Sequence, residues 1–173
     1  MKIITAAAAI DAGLVTPDTE YVDTGIARIY EVEIKNWNDG VYGTQTMTGV
    51  LQHSINTGAI FMAEKLGATQ FQSYLAAFGF GTPTGIDLNG EATGILRRPD
   101  DPRWSPVDLA TQSFGQSISV TPIQMATAIA AAINGGQLIQ PRLVAATVTA
   151  DGIRHVHRTE VWGQPISPET STT

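Results

Sequence analysis

The sequence predicts a helix-rich α+β domain, and three regions of its 173 residues support this class. Apolar residues recur at helical spacing in several segments, as in helices that bury one face. Extended segments at 143–149 and 153–158 flank Asp151-Gly152, a pair typical of a β-hairpin turn. Residues 79–108 are rich in glycine, proline and aspartate, which favours loop with short extended pieces.

Length and composition allow one domain and argue against several classes of function. A chain of 173 residues with 43% hydrophobic residues can bury a substantial core. A net charge of −6 argues against nucleic-acid binding, which favours a basic face. There is no cysteine, so neither a disulfide framework nor a thiolate metal site is expected. The longest apolar runs, 3–10 and 125–133, are far shorter than the about 20 residues of a membrane-spanning helix.

The first predicted helix runs from Lys2 to Ala12 and ends at Gly13, a residue suited to the conformation that closes a helix. A basic residue followed by an apolar run is also typical of a secretory signal peptide. The apolar run here is short and rich in alanine, so we favour a helix of the domain. A lysine at a helix N-terminus opposes the macrodipole, and we therefore expect the natural domain to begin further upstream.

Turns and short extended segments are expected in residues 17–43. Apolar residues alternate at 26–30, and Asn38-Asp39-Gly40 is a turn sequence. Helical spacing resumes after this region and predicts helices over 46–54, 57–66 and 69–78.

The junction between the first two of these helices carries a hydroxyl and a carboxamide, on Ser54 and Asn56. Residues two apart do not face each other on a helix, so these side chains can serve one site only where the helix breaks. Ile55, Asn56 and Thr57 are mediocre helix formers, which favours such a break. The simpler interpretation is that Asn56 caps the helix that follows.

The clearest helix start lies at Thr121. Thr121 suits the N-cap, Pro122 suits the first helical position, and Gln124 completes a capping box. Small apolar residues then predict a buried helix over 125–133. The sequence 167–169 repeats this kind of start close to the end of the chain, so we expect the helix that it begins to continue in a longer protein.

The run Leu51–Ala59, with its Ser-x-Asn, belongs to a series of spaced motifs. The other members of the series are 1–10, 11–19, 78–81, 84–88, 90–94, 114–116, 120–124, 134–136 and Pro141. In this order they resemble class B penicillin-binding proteins, the monofunctional cell-wall transpeptidases. The resemblance implies the helix-rich lobe of the serine D,D-peptidase and β-lactamase-like transpeptidase fold. Residues 1–173 would then be a partial transpeptidase domain, truncated at both ends.

The resemblance also implies the catalytic residues Lys2, Ser54 and Asn56. Lys2 would be the lysine of the Ser-x-x-Lys motif and act as a base, and Ser54 would relay a proton to the leaving group. Asn56 would hold the substrate amide and the lysine. The implied reaction crosslinks peptidoglycan stem peptides ending in D-Ala-D-Ala through an acyl-serine, which β-lactams also form. The family uses no cofactor or metal, is anchored to the membrane outside the cytoplasm, and works with other cell-wall synthesis proteins.

The sequence departs from the family at its other motifs. If Lys2 is the motif lysine, the nucleophilic serine lies three residues before it, upstream of Met1. The Lys-Thr-Gly motif of the family is absent from the sequence. We therefore expect that the 173-residue chain itself does not acylate, because it lacks the nucleophile and the strand that stabilises the oxyanion.

Other functions stay open on the sequence alone. A β-lactamase or β-lactam sensor is one, and hydrolysis would need a base that activates water. No residue is marked for that task, although Glu91 stays a candidate. A non-catalytic scaffold module of the same fold is another, and the residue three positions before Lys2 distinguishes it from an enzyme.

The histidines favour structural roles. His53 is adjacent to Ser54, but neighbouring residues on a helix diverge and no acid is placed to orient the ring. His155 and His157 share one face of a predicted strand, yet two ligands without a third favour a solvent-facing edge over a metal site.

Region 79–108 also carries features that favour structural roles. Gly79-Phe80-Gly81 follows a helix and lacks the Lys-Ser/Thr ending of a nucleotide loop. We predict that Arg97 and Arg98 form a solvated pair.

Overall fold

The computed structural model describes residues 1–173 and shows six α-helices together with short antiparallel strand pairs. The helices are α1 (Lys2–Asp11), α2 (Met47–Gln52), α3 (Asn56–Ala77), α4 (Pro106–Phe114), α5 (Pro122–Ile133) and α6 (Pro168–Thr172). The strands are β1 (Glu20–Asp23), β2 (Ile26–Ile29), β3 (Val32–Lys35), β4 (Gly43–Thr46), β5 (Ile95–Leu96), β6 (Ile118–Ser119), β7 (Leu138–Ile139), β8 (Ala146–Val148), β9 (Arg154–Val156) and β10 (Val161–Gly163). Strand β1 pairs with β4, β2 with β3, β5 with β6, β7 with β10, and β8 with β9. This mixture confirms the helix-rich α+β class.

Helix α1 lies in the middle of the core. Its buried residues, Ile4, Thr5, Ala6, Ala8 and Ala9, are mostly small, so neighbouring helices can approach its backbone closely. It packs against α3 on one side and α5 on another. The apolar start of the chain is thus a core helix, and Lys2 is held at its first turn. No helix of the chain is both long and apolar enough to cross a membrane.

Helix α3 covers the two helices predicted over 57–66 and 69–78. Gly67 has φ of +72°, which is not helical, so a kink separates two helical segments at the predicted boundary. Phe71 and Leu75 on the second half, and Phe78 directly after it, are fully buried and anchor it in the core.

Helices α2 and α3 approach closely at Gly58. A Cβ atom at this position would lie 2.3 Å from Val50 Cγ2 and 2.9 Å from the Tyr21 hydroxyl oxygen, so no larger residue fits without displacement. This contact fixes α2 against the first turn of α3 and thereby sets the path of residues 53–55 between them.

Capping boxes define the starts of α4 and α5. At α5 the Gln124 N–H donates to Thr121 Oγ1 (3.2 Å) and the Thr121 N–H donates to Gln124 Oε1 (2.9 Å), which confirms the predicted start. Helix α4 was not predicted. It begins after Ser105, whose N–H donates to the carboxylate of Asp108 (2.8 Å).

The final third of the chain contains the hairpin of β8 and β9 and the short helix α6. The paired strands, 146–148 and 154–156, are shorter than the predicted segments. Helix α6 begins after Ser167, as predicted, and the Ser167 N–H donates to the carboxylate of Asp11 at the end of α1 (2.7 Å). The end of the described chain is therefore tied to the core helix.

Candidate active site

The helix breaks between α2 and α3, as the sequence predicted. Helix α2 ends at Gln52 and α3 begins at Asn56, with Ser54 exposed in the turn at φ of +54°. A left-handed conformation in a residue other than glycine costs about 1–2 kcal/mol and persists only where its surroundings hold it. Ile55 is fully buried and fixes the turn in the core, while its neighbours Ser54 and Asn56 keep access to solvent.

The structure brings Lys2 and Ser54 together. Lys2 Nζ donates hydrogen bonds to the Ser54 carbonyl oxygen (2.8 Å) and to Ser54 Oγ (2.9 Å). Because Oγ accepts from the lysine, the hydroxyl proton of Ser54 stays free to be donated to another group. The lysine also bridges the carbonyl and hydroxyl of the strained residue, which helps to hold its left-handed conformation.

The protonation of Lys2 responds to burial. Partial burial lowers the pKa of the Lys2 ammonium below its ordinary value. No carboxylate lies within ion-pair distance of Lys2 to offset this, because the ion pairs of the chain all involve other residues. A lysine with a lowered pKa is more readily neutral near physiological pH, the state in which it can accept a proton from a hydroxyl.

Asn56 lies two residues from Ser54, and its side chain does not form the predicted contact with Lys2. Its side-chain Nδ2 donates to the Lys35 carbonyl oxygen (2.9 Å), so the expected bond to Lys2 is not formed. The simpler interpretation, in which Asn56 caps α3, is wrong, because Ile55 occupies the N-cap position and Asn56 is the first helical residue. The end of β3 runs beside the start of α3, so the Lys35 carbonyl lies within reach of the Asn56 side chain.

Sequence reasoning missed a buried polar cluster beside the junction, formed by Asp23, Asn36 and Thr57. Asn36 Oδ1 accepts the backbone N–H groups of Asn56 (2.9 Å) and Thr57 (3.1 Å). Asn36 Nδ2 lies 2.9 Å from each carboxylate oxygen of Asp23. No sequence spacing connects residues 23, 36 and 57. They meet only because the strands of 20–46 fold back against the start of α3.

Asp23 stays charged within this cluster. Burial acts to raise the pKa of its carboxyl, but hydrogen bonds from Thr57, from the backbone N–H groups of Gly25 and Tyr42 and from Asn36 outweigh burial and lower the pKa below its ordinary value. The Thr57 hydroxyl donates to Asp23 at 2.6 Å. A negative charge this close to the first turn of α3 also interacts favourably with the positive end of the helix macrodipole.

The histidines lie outside the Lys2–Ser54 arrangement. The His53 ring stacks on Tyr42 with a centroid separation of 5.4 Å. His155 and His157 are exposed in the hairpin region. The chain contains no group of three or more His, Cys, Asp or Glu side chains arranged to hold a metal ion.

Glu91 is engaged in holding a loop. Its carboxylate accepts from the Thr84 hydroxyl (2.6 Å), the Thr84 N–H (2.7 Å) and the Gly85 N–H (3.0 Å). Slight burial acts to raise the pKa of Glu91, but these hydrogen bonds outweigh it and lower the pKa. A carboxylate with both oxygens occupied and a lowered pKa is poorly suited to activate water, which argues against the hydrolytic alternative.

The prediction of a solvated Arg97–Arg98 pair is wrong for Arg97. Arg97 Nη1 donates to Asp108 Oδ1 at 2.9 Å, and the Asp108 side chain is almost entirely buried. Arg98 is exposed, as predicted. The difference arises because the unpredicted helix α4 places an acid opposite Arg97 only.

The fold is that of a transpeptidase domain, and comparison with known proteins identifies the family. The chain belongs to the penicillin binding protein transpeptidase domain family, whose family model matches residues 1–173. This confirms the resemblance to class B penicillin-binding proteins that the motif series indicated.

Individual relatives agree with this assignment. The chain is 44% identical over 141 residues to stage V sporulation protein D of Bacillus subtilis, covering 81% of this chain and 22% of that protein. It is 31% identical over 157 residues to the peptidoglycan D,D-transpeptidase MrdA of Salmonella typhimurium, covering 83% of this chain and 25% of that protein. The chain thus spans about a quarter of the length of these relatives.

A solved structure shows the same fold. Penicillin binding protein 3 from Mycobacterium tuberculosis, crystallised in complex with aztreonam, superposes with a TM-score of 0.90 at 31% identity. The superposition covers 99% of this chain and 38% of the other. It confirms that the chain has the fold of a penicillin-binding protein transpeptidase domain.

Proposed function

We propose that residues 1–173 are the central part of the transpeptidase domain of a longer enzyme, a peptidoglycan D,D-transpeptidase that acts outside the cytoplasm. The observation that carries the proposal is the contact of Lys2 Nζ with Ser54 Oγ at 2.9 Å, in a chain whose whole length matches the transpeptidase family. The name of the MrdA relative states the same activity for that protein.

The substrate in this proposal is a stem peptide that ends in D-Ala-D-Ala. A serine hydroxyl attacks the carbonyl carbon of the penultimate D-alanine, an acyl ester forms, and the terminal D-alanine leaves with its amine. The amine of a neighbouring peptide then attacks the ester, forms the crosslink and releases the serine. In the acylation step one proton must move from the serine hydroxyl to the departing amine.

Lys2 and Ser54 are proposed to carry that proton. The neutral Lys2 amine accepts it from the nucleophile, and its bond to Ser54 Oγ offers a path onward. Ser54 passes its own hydroxyl proton to the leaving amine and takes one from Lys2, so that the proton count of the pair is unchanged. The nucleophilic serine is proposed to lie three residues before Lys2, on the same face of the helix that α1 continues.

Asn56 is proposed to bind the substrate amide. A carboxamide has two N–H donors and one acceptor oxygen, and the Lys35 carbonyl uses one donor. The second N–H and the oxygen remain for a peptide group. Asn56 is only partly buried, so a ligand can reach it.

β-Lactams are proposed to acylate the same serine, and other cell-wall synthesis proteins to act as partners of the longer enzyme. The M. tuberculosis relative was crystallised with aztreonam, a β-lactam. The partners and a membrane anchor are proposed for the longer enzyme from the family resemblance alone.

The proposal is tested in two stages. The gene is first read upstream of codon 1, where we expect a serine codon three positions before Lys2; any other residue there would favour the scaffold alternative. The longer protein is then exposed to a fluorescent penicillin, and covalent labelling is followed in the intact protein, in Ser54→Ala and in Ser73→Ala. Ser73→Ala is the same substitution at an exposed position on α3, so it serves as the control.

Slow labelling of Ser54→Ala alone supports the proton relay. Equal labelling of both variants would refute the role of Ser54, and no labelling of the intact protein would refute the proposed activity. Steady release of hydrolysed antibiotic would instead identify a β-lactamase.

A further inference from the structure

The buried cluster of Asp23, Asn36 and Thr57 has no part in the proton transfers of the proposed reaction. The exposed fractions of these residues are only 2%, 5% and 7%, so each polar group needs a partner. The cluster nevertheless contacts the Ser54–Asn56 motif directly, through the backbone N–H of Asn56. Its hydrogen-bond pattern shows what it does there.

Asn36 caps helix α3 from another part of the chain. The first backbone N–H groups of a helix have no acceptor within the helix, and the N-cap side chain usually supplies one. In α3 the N-cap is Ile55, whose side chain has no hydrogen-bond acceptor. Asn36 Oδ1 takes its place by accepting from the N–H groups of Asn56 (2.9 Å) and Thr57 (3.1 Å).

The carboxamide of Asn36 has only one orientation that satisfies its neighbours. Its Nδ2 donates to both carboxylate oxygens of Asp23 and to the Gly40 carbonyl oxygen (3.1 Å). Rotation by 180° would place the NH₂ group against the helix N–H groups and the oxygen against a carboxylate. Asp23 therefore determines that the acceptor of Asn36 faces α3.

Asn56 is held at its side chain as well as its backbone. The Lys35 carbonyl accepts from Asn56 Nδ2 at 2.9 Å, while the next residue, Asn36, accepts from the Asn56 N–H. Lys35, the last residue of β3, and Asn36, which follows it, thus fix the side chain and the backbone of Asn56. On the other side of Ile55, Lys2 fixes Ser54.

We propose that Asn36, oriented by Asp23, is a positioning residue for the Ser54-x-Asn56 motif. It touches neither the substrate nor the reacting atoms, and it acts by fixing the backbone on which Asn56 and Ser54 stand. This inference rests on the proposed transpeptidase function, because its consequence for chemistry is a correctly placed motif.

The main test uses Asn36→Ala in the longer transpeptidase. Stopped-flow labelling with a fluorescent penicillin separates the dissociation constant of the non-covalent complex from the rate constant of acylation. We expect the acylation rate constant to fall by about 10- to 100-fold, since displacement of a motif by about 1 Å has effects of that order. The dissociation constant should change far less.

Arg97→Ala is the matched control for lost stability. Like Asn36→Ala, it removes the hydrogen-bond partner of a buried polar group. That group is the carboxylate of Asp108 on α4, and not the start of α3. We expect Arg97→Ala to acylate at the rate of the intact protein wherever it is folded. An equal loss of rate in both variants would overturn the positioning role, because it would follow from general destabilisation.

An exchange of groups tests the orientation by Asp23. Asn36→Asp keeps an acceptor towards α3 but places a second carboxylate 2.9 Å from Asp23. Adding Asp23→Asn restores a donor between the two positions. We expect the double variant to acylate faster than Asn36→Asp alone; a double variant that is as slow or slower would overturn the role of Asp23.

Amide hydrogen exchange of the longer protein provides a readout that needs no activity. In Asn36→Ala the N–H groups of Asn56 and Thr57 should lose protection, while those in the second half of α3 keep it. Unchanged protection of these two N–H groups would show that Asn36 does not cap α3. If the intact longer protein takes no penicillin label, the proposed function fails; if it does and Asn36→Ala acylates normally, only the positioning role fails.

Discussion

Replacing Arg97 by alanine should destabilise the chain markedly, whereas the same change at Arg98 should not. Arg97 Nη1 lies 2.9 Å from Asp108 Oδ1, and the exposed fractions of the two side chains are 35% and 6%. Arg98 is exposed and forms no ion pair. The two neighbouring arginines therefore differ in burial and pairing while the substitution is identical.

The expected magnitude follows from the partial burial of the pair. Removing one partner of a fully buried ion pair costs about 3–5 kcal/mol. Here the guanidinium is reached by water, which screens the interaction, and the Ser105 N–H still donates to Asp108 after the change. We therefore expect Arg97→Ala to lower the free energy of unfolding by about 1–3 kcal/mol. A substitution at exposed Arg98 should stay within about 0.5 kcal/mol.

Urea unfolding of the 173-residue chain, followed by circular dichroism, measures both values. The slope of free energy against urea should be unchanged, because the same surface is exposed on unfolding. Equal stabilities of Arg97→Ala and Arg98→Ala would refute the assignment of a buried pair.

Three further predictions follow from local geometry. Gly58→Ala should lower the free energy of unfolding by about 1–3 kcal/mol, because its new Cβ meets Val50 Cγ2 at 2.3 Å, and adding Val50→Ala should recover part of the loss in urea titrations. The 173-residue polypeptide, which contains neither Ser-x-x-Lys nor Lys-Thr-Gly, should take no covalent label from a fluorescent penicillin, as seen by intact mass. The lowered pKa of Asp23 means that its contribution to stability is complete above about pH 3.9, the ordinary value, and is lost as pH falls through the folded-state pKa. Asp23→Asn should therefore flatten the acid side of a plot of unfolding free energy against pH.

Each of these predictions has an outcome that contradicts it. An additive Gly58→Ala and Val50→Ala pair would show that the two side chains do not collide. Stoichiometric labelling of the 173-residue polypeptide would show that another residue acts as nucleophile. If Asp23→Asn leaves the acid slope unchanged, the pKa of Asp23 is not lowered by folding.

Helices with local start signals could be predicted from the sequence. Thr121 and Gln124 are close in the chain, and the side chain of each accepts a hydrogen bond from the backbone N–H of the other. Their capping box is therefore visible in the sequence itself. Helix α4 carries the same kind of signal in Ser105-Pro106 and Asp108, but the loop-like composition of 79–108 concealed it. The error at Arg97 followed from that omission.

The candidate site could be predicted only in part. Ser54 and Asn56 are local to one turn, and the motif series located them. The Lys2 contact with Ser54 spans 52 residues and was inferred from family resemblance alone. The cap that Asn36 provides for α3 has no local sequence signature, because residue 36 reaches α3 through the folding of separate strands.

The pH dependence of acylation in the longer protein tests the central claim most directly, since it reports the base that accepts the proton of the nucleophile. The rate constant should rise with pH through a lysine pKa below the ordinary value of about 10.4, and Ser54→Ala should reduce its plateau by about 100-fold or more. A rate constant independent of pH, together with a Ser54→Ala plateau equal to that of Ser73→Ala, would contradict the account.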